Sequence, residues 1–170
     1  MSAQIRPARA TDAAAITELL RQLGYGAVNR VGSWGEDPSS AAYVAEVRGE
    51  VLGVVAVHVC PFFERAGSWG RIVALVVSEH ARGEGIGDQL VLAAESFVMS
   101  RGGLRMEVTS SDHRQAAHAF YRGRGYIDQA GTSSRFLRDL AEDGGGEGSG
   151  RAGGVRAVLG GAHDQGALDQ

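Results

Sequence analysis

The run Arg71-Ile72-Val73-Ala74-Leu75-Val76-Val77 is short, apolar and rich in β-branched residues, so it predicts a buried strand. Ser78-Glu79-His80-Ala81 follows as a connection. Arg82-Gly83-Glu84-Gly85-Ile86-Gly87 then leads without a break into Asp88 to Arg101, where Leu90, Ala94, Phe97, Val98 and Arg101 recur at helical spacing. Gly102-Gly103 beyond them suits a helix end. The unit reads as strand, glycine turn, helix.

Three glycines alternate where that helix begins, so the backbone can bend closely around an anion with no Cβ in the way. The first amides of a helix lack partners within it, and the helix dipole adds partial positive charge there. Such a turn can seat a pyrophosphate. Two familiar phosphate loops do not fit. Gly87 is followed by Asp88-Gln89 rather than by Lys and Ser or Thr, and the spacing is Gly-x-Gly-x-Gly rather than Gly-x-Gly-x-x-Gly. A glycine-rich turn that merely joins strand to helix is the plainer alternative.

Arg82-Gly83-Glu84-Gly85-Ile86-Gly87 resembles the Arg/Gln-x-x-Gly-x-Gly/Ala loop of the GCN5-related N-acetyltransferases, the GNAT family. Ala117-His118-Ala119-Phe120-Tyr121-Arg122-Gly123-Arg124-Gly125-Tyr126 is similar to that family's Ala-x-x-Phe-Tyr-x-x-x-Gly-Phe/Tyr signature, and Ile5-Arg6-Pro7-Ala8-Arg9-Ala10-Thr11-Asp12 to its opening strand and first helix start. The three matches stand in family order and cover roughly residues 4 to 140. The resemblance implies an acyl-CoA N-acyltransferase fold with acetyl-CoA as co-substrate.

Composition bounds the reading. The chain has 170 residues, enough for one domain with a sizeable core. Hydrophobic residues make up 44% and charged ones 22%, which is ordinary for a globular protein. No apolar run approaches the roughly 18 residues of a membrane span, and Met1 to Arg6 lack an apolar signal core, so a cytoplasmic protein is expected. The single Cys60 cannot form an internal disulfide, which agrees with a reducing compartment. A net charge of -3 gives no electrostatic footprint for nucleic acid, and a small cationic amine fits it somewhat better.

Gln4 to Pro7 reads as a first strand, and Thr11 as an N-cap for a helix carrying Ala15, Ile16, Leu19, Leu20 and Leu23 up to Gly24. Tyr25 to Ser40 gives mixed signals, with Trp34 as its one large apolar group; in the resembling family this region covers the acceptor pocket, and a packed surface loop is the other reading. Tyr43 to Val47 and Val51 to Val59 read as a hairpin about Arg48-Gly49-Glu50. Phe62-Phe63-Glu64-Arg65 and Trp69 lie in the connection to the central strand, where exposed aromatics recognise ligands or pack locally.

Leu104 to Val108 alternates like a strand, Arg114 to Arg122 reads as a helix closed by Gly123 or Gly125, and Tyr126-Ile127 and Ser134 to Leu137 read as two last strands. The order β, α, loop, β, β, β, α, β, α, β, β is a mixed α/β arrangement, a sheet flanked by helices. Past Leu140 the composition shifts: residues 141 to 170 hold ten glycines and few large aliphatics. A domain over 1–140 with a disordered tail over 141–170 is expected.

Acetyl transfer to an amine needs a held thioester, a deprotonated amine and a stabilised leaving thiolate. Carried over from the family by position, the amides of Leu75, Val76 and Val77 meet the pantetheine arm and acetyl carbonyl, and Arg82, Gly83, Glu84, Gly85, Ile86, Gly87 and Asp88 hold the phosphates. Tyr121 takes the place of the family's leaving-group acid, a phenol being protonated at neutral pH; packing beside Phe120 is the alternative. The base is open among Glu107, Glu64, His80 and ordered water, with an exposed carboxylate or a salt-bridge partner as the other reading of Glu107. His58, on an apolar strand, reads as a core histidine.

No histidine or cysteine spacing suggests zinc, so no metal is implied. Gly-x-Ser-x-Gly is absent, which leaves an esterase unsupported. Relatives that acetylate protein N-termini have Asn before the Ala-x-x-x-Tyr helix, whereas here Ser111-Asp112-His113-Arg114 occupies the approach. The segment between Glu107 and Tyr121 is also longer than in those relatives, which weakens both that acceptor type and the assignment of Glu107. Arg124 stands where the family has an apolar residue. The expectation is therefore transfer to a small-molecule primary amine in a ternary complex, with a non-catalytic acetyl-CoA-binding module or a protein N-terminal or lysine acetyltransferase as alternatives. Relatives often pair as homodimers through their last strands.

Overall fold

The computed structural model describes residues 2–26, 30–138 and 140, which fall into two compact units divided between Thr109 and Ser110. The expected tail over 141–170 lies outside the described residues. In the first unit the elements run β1 (Gln4–Pro7), α1 (Ala13–Arg21), α2 (Val31–Trp34), β2 (Ser40–Val47), β3 (Glu50–Pro61), β4 (Ser68–Val77), α3 (Ile86–Ser100) and β5 (Gly103–Val108). The strands form one sheet in sequence order. β1 to β4 are antiparallel, and β4 pairs in parallel with β5. Short loops join β2 to β3 and β3 to β4, the helices α1 and α2 lie between β1 and β2, and the parallel pair needs the crossover that α3 provides.

The two faces of the sheet carry different side chains because neighbouring strand residues point to opposite sides. Val44, Val54 and Val76, cross-strand neighbours, form a buried layer with Ile16 and Leu19 of α1. On the other face α3 buries Ile86, Leu90, Val91, Ala94 and Val98. Its approach is close at Gly53, where an added Cβ would lie 2.9 Å from Leu90 Cδ1, and at Gly70, where it would lie 2.3 Å from Val98 Cγ2. Glycine lets the helix pack this closely at these two points.

The hairpin joining β2 to β3 turns through Arg48 and Gly49, with φ of 52° and 83°. Two consecutive positive values in a two-residue loop are the signature of a type I′ turn, which matches the twist of its strands. A second irregularity lies in β4. Ala56 pairs with Ala74 and Val57 with Ile72, so Val73 is an extra residue, a bulge. Pairing with β5 ends at the preceding residue, with Ile72 opposite Val108. β4 thus runs on through Val73 to Val77 beside β3 alone, and the two parallel strands part at the bulge.

At the start of the first helix the expectation needs correcting. Thr11 lies inside a 3-10 turn, Ala10 to Asp12, and α1 begins only at Ala13. Asp12 stands at the N-cap position of α1 without a side-chain bond to the helix; its carboxylate instead closes the 3-10 turn, accepting from the Arg9 amide at 2.7 Å, and accepts from both terminal nitrogens of Arg6 at 2.8 and 2.9 Å. A carboxylate offers four lone-pair sites where a hydroxyl offers two, so it ties the turn to β1 as well.

The second unit contains α4 (Gln115–Gly123). Gly125, at φ 86°, ends it in a Schellman motif: the Tyr126 amide donates to the Tyr121 carbonyl and the Gly125 amide to that of Arg122. The two last strands expected over Tyr126-Ile127 and Ser134 to Leu137 do not form; residues 126–138 hold no strand. Ile127 is 82% and Phe136 88% exposed. Between them the chain coils back on itself, with the Thr132 and Ser133 amides both donating to the Gln129 carbonyl. Two- and four-residue runs make a hairpin too short to hold itself together.

Candidate active site

The site begins with the chain leaving β4. The Ser78 amide donates to Leu52 of β3 at 2.8 Å, and in an antiparallel ladder the amides alternate sides. The N–H groups of Val76 and Ala74 therefore also face β3, whereas those of Leu75 and Val77 face the side on which pairing with β5 has ended. Of the three residues named from the sequence, the register sets Leu75 and Val77 on the open edge and turns the amide of Val76 into the sheet.

Beyond Ser78 a 3-10 turn over Glu79–Ala81 leads to the glycine turn. Gly83 has φ 81° and Gly85 φ 77°, and at neither would a Cβ meet an atom within 4 Å. Gly85 is the N-cap of α3, and the first intrahelical bond runs from the Gln89 amide to its carbonyl at 3.2 Å. The amides of Ile86, Gly87 and Asp88 thus stand ahead of the helical ladder, at its positive end. Ile86 turns its side chain into the core, 2% exposed, and anchors the turn. Arg82, Glu84 and Asp88 are exposed. An edge of strand amides followed by a left-handed glycine turn and a helix start suits an extended ligand with a polar arm and a pyrophosphate, which acetyl-CoA is.

Glu107 is a salt-bridge partner. It pairs across from Arg71 in the register, and its Oε1 accepts from Arg71 Nη1 at 2.8 Å. Arg71 Nη2 donates to Thr109 Oγ1 at 2.9 Å. Neither partner stands out in the sequence, because the signal is a basic residue in one buried strand facing an acidic residue in another, and only the register joins them. Of the rival bases, the His80 Nε2 lies 2.9 Å from Ser78 Oγ, and Glu64 lies in the exposed loop after β3, 3.8 Å from Arg65. Arg65 in turn sits over the Phe62 ring at 4.0 Å, so that aromatic packs locally. His58 bonds Ser40 through Nδ1 at 2.9 Å, and Trp34 donates to the Ala41 carbonyl at 3.0 Å, anchoring α2 to β2.

In the second unit Tyr121 is half-buried on α4, with the rings of Phe120 and Tyr126 at 5.2 and 5.5 Å. Burial pushes its pKa up to about 12, against a small opposing pull from Arg114. The phenol is therefore protonated throughout the neutral range. Arg124, two residues before Tyr126, is half-buried. Among the described residues no three of His, Cys, Asp and Glu come together as a metal site, and no helix is long and apolar enough to cross a membrane.

Known proteins share sequence or fold with this chain. The aminoalkylphosphonate N-acetyltransferase of Salmonella typhimurium is 34% identical over 90 residues, 53% of this chain and 58% of that protein. The chain thus matches little more than half the length of that relative. The structure of AAC(6')-Iy in complex with the bisubstrate analogue CoA-S-monomethyl-acetylneamine superposes with a TM-score of 0.72 at 15% identity, over 83% of this chain and 100% of the other. Ribosomal-protein-alanine N-acetyltransferase from Brucella melitensis gives 0.67 at 19% identity, over 81% and 100%. At these identities the two structures speak for the fold alone. The pattern described as the Acetyltransferase (GNAT) family matches residues 14–126, well over half the chain, and the protein belongs to that family of acetyltransferases.

Proposed function

We propose that this acetyltransferase moves the acetyl group of acetyl-CoA to the primary amine of a small molecule, by direct attack in a ternary complex. The observation that carries the reading is the open edge of β4 at Leu75 and Val77, continuous with the Gly83 to Asp88 turn. Acetyl-CoA supplies the activated acetyl thioester. The glycine turn and the first amides of α3 bind its phosphates. A β4 amide donates to the acetyl carbonyl oxygen and strengthens that bond as negative charge develops there. The Tyr121 phenol, held protonated, gives its proton to the departing thiolate.

An ammonium has a pKa near about 10, so the acceptor must lose a proton before attack. Glu107 already accepts from Arg71, and water is the better candidate for that role. Sequence likeness to an aminoalkylphosphonate N-acetyltransferase supports a compact amine as acceptor. The test is thiol release from acetyl-CoA across aminoalkylphosphonates, polyamines, aminoglycosides, arylamines and short peptides, with mass spectrometry of the acceptor. Saturable release with one small-amine class and a mass gain of one acetyl group is expected. Acetylation confined to peptides would transfer the reading to protein termini, and tight acetyl-CoA binding with every amine inert would leave a binding module.

A further inference from the structure

We propose that Arg71 is a positioning residue that sets the opening between β4 and β5, and through it the fit of the pantetheine arm. The inference rests on the reading of that opening as the acetyl-CoA site. Arg71 lies one residue before the last paired position of β4, and its side chain is only 11% exposed. One nitrogen of its fork holds Glu107, the residue opposite, and the other holds Thr109, the first residue beyond β5. Glu107 and Thr109 point to the same side of their strand and are about 7 Å apart along it. A single planar guanidinium therefore spans the point where backbone pairing ceases.

Backbone pairing gives no tie beyond this point. Ile72 and Val108 are the final backbone pair, and the bulge at Val73 bends β4 away immediately after it. Without a tie across the vertex, the strands can unzip further or slide, and the Leu75 and Val77 amides shift relative to whatever lies in the opening. A bulge alone twists a strand but does not fix the distance to its neighbour. Arg71 makes two charge-assisted hydrogen bonds, to Glu107 and Thr109, from a rigid planar fork, whereas a lysine is a point charge without the fork that fixes both partners at their spacing.

The ligand has two separable halves, which gives a test with an internal control. Adenosine 3′,5′-diphosphate presents phosphates to the glycine turn but has no pantetheine arm. Calorimetry would compare it with acetyl-CoA on the wild type, Arg71→Lys and Thr109→Val. The second variant alters an exposed residue and spares the fold. For Arg71→Lys the acetyl-CoA Kd is expected to rise about tenfold and that of the diphosphate less than twofold. Thr109→Val should give the same pattern at about threefold. Unchanged acetyl-CoA affinity in both variants overturns the proposal, and so does an equal loss for the two ligands, which marks general damage. A wild type that binds neither ligand would refute the site itself, a result distinct from either.

Discussion

In the proposed mechanism Tyr121 is the one side chain that the second unit contributes. Burial among Phe120 and Tyr126 lifts its pKa to about 12, so the group remains a proton donor at any pH in which the enzyme would be assayed. Tyr121→Phe keeps the ring and its packing but removes the proton. The expected result is a kcat about 100-fold lower with the acetyl-CoA Kd unchanged. Because ionisation of Tyr121 begins only well above neutrality, wild-type kcat should show no alkaline fall from this group up to about pH 10. A variant with wild-type kcat across that range would remove Tyr121 from the reaction. The place of this residue on a helix beside Phe120 was legible in the sequence because it belongs to a local motif. Glu107 was not legible in the same way, since its partner Arg71 is 36 residues distant and meets it only through a parallel register that needs α3 as crossover.

At the scale of elements, the glycine turn and the β2–β3 hairpin each pose a question of backbone conformation. Gly85 has φ 77°, so any side chain there strains the cap of α3 whether or not a ligand is present. Gly87, in the first turn of the helix, is not among the left-handed glycines and makes the cleaner probe. Gly87→Leu should raise the acetyl-CoA Kd at least about tenfold while leaving the unfolding midpoint within error. Retained affinity in the folded variant would mean that the helix start is not the phosphate seat.

The hairpin offers the reverse case. Arg48, at φ 52°, occupies a position of its type I′ turn that favours Asn or Gly. Arg48→Asn should stabilise the protein by about 1 kcal/mol, read as a higher urea midpoint at unchanged slope; a lower midpoint would show that the arginine side chain earns its place. The strand, turn and helix around Gly83 to Gly87 were readable because period and glycine spacing are local. Which of Leu75, Val76 and Val77 faces the opening was not, because the side of the ladder depends on a neighbour. The last two strands were misread for a related reason: alternation over a few residues marks apolar faces without supplying the partner strand that pairs them.

At the scale of the whole molecule, the first unit's helix layer is joined to its sheet by one ionic network. Arg6 on β1 reaches Asp12 with two nitrogens and Glu46 on β2 with its Nε at 2.7 Å. Asp12 is buried, and its bond to Arg6 holds its pKa below the ordinary carboxylate value, more strongly than burial raises it. This network was half visible in advance, since Arg6 and Asp12 lie in the opening motif, but Glu46 is 40 residues away. Arg6 keeps Glu46 on its Nε, so Asp12→Asn weakens the network without stranding the arginine and should cost about 2 kcal/mol at neutral pH. The sign of its pH dependence follows from the depressed pKa. An unfolded Asp12 binds its proton near pH 4, earlier on acidification than the folded one, so the charge contributes its full stability above about pH 4. That contribution is lost as pH falls through the lower, folded value. Urea unfolding of wild type and Asp12→Asn from pH 7 to pH 2.5 should show a constant gap down to about pH 4.5 and a narrowing gap below it. A gap that stays constant to the acid end would mean that Asp12 stabilises the fold by shape rather than by charge, and that α1 owes its position to Ile16 and Leu19 alone.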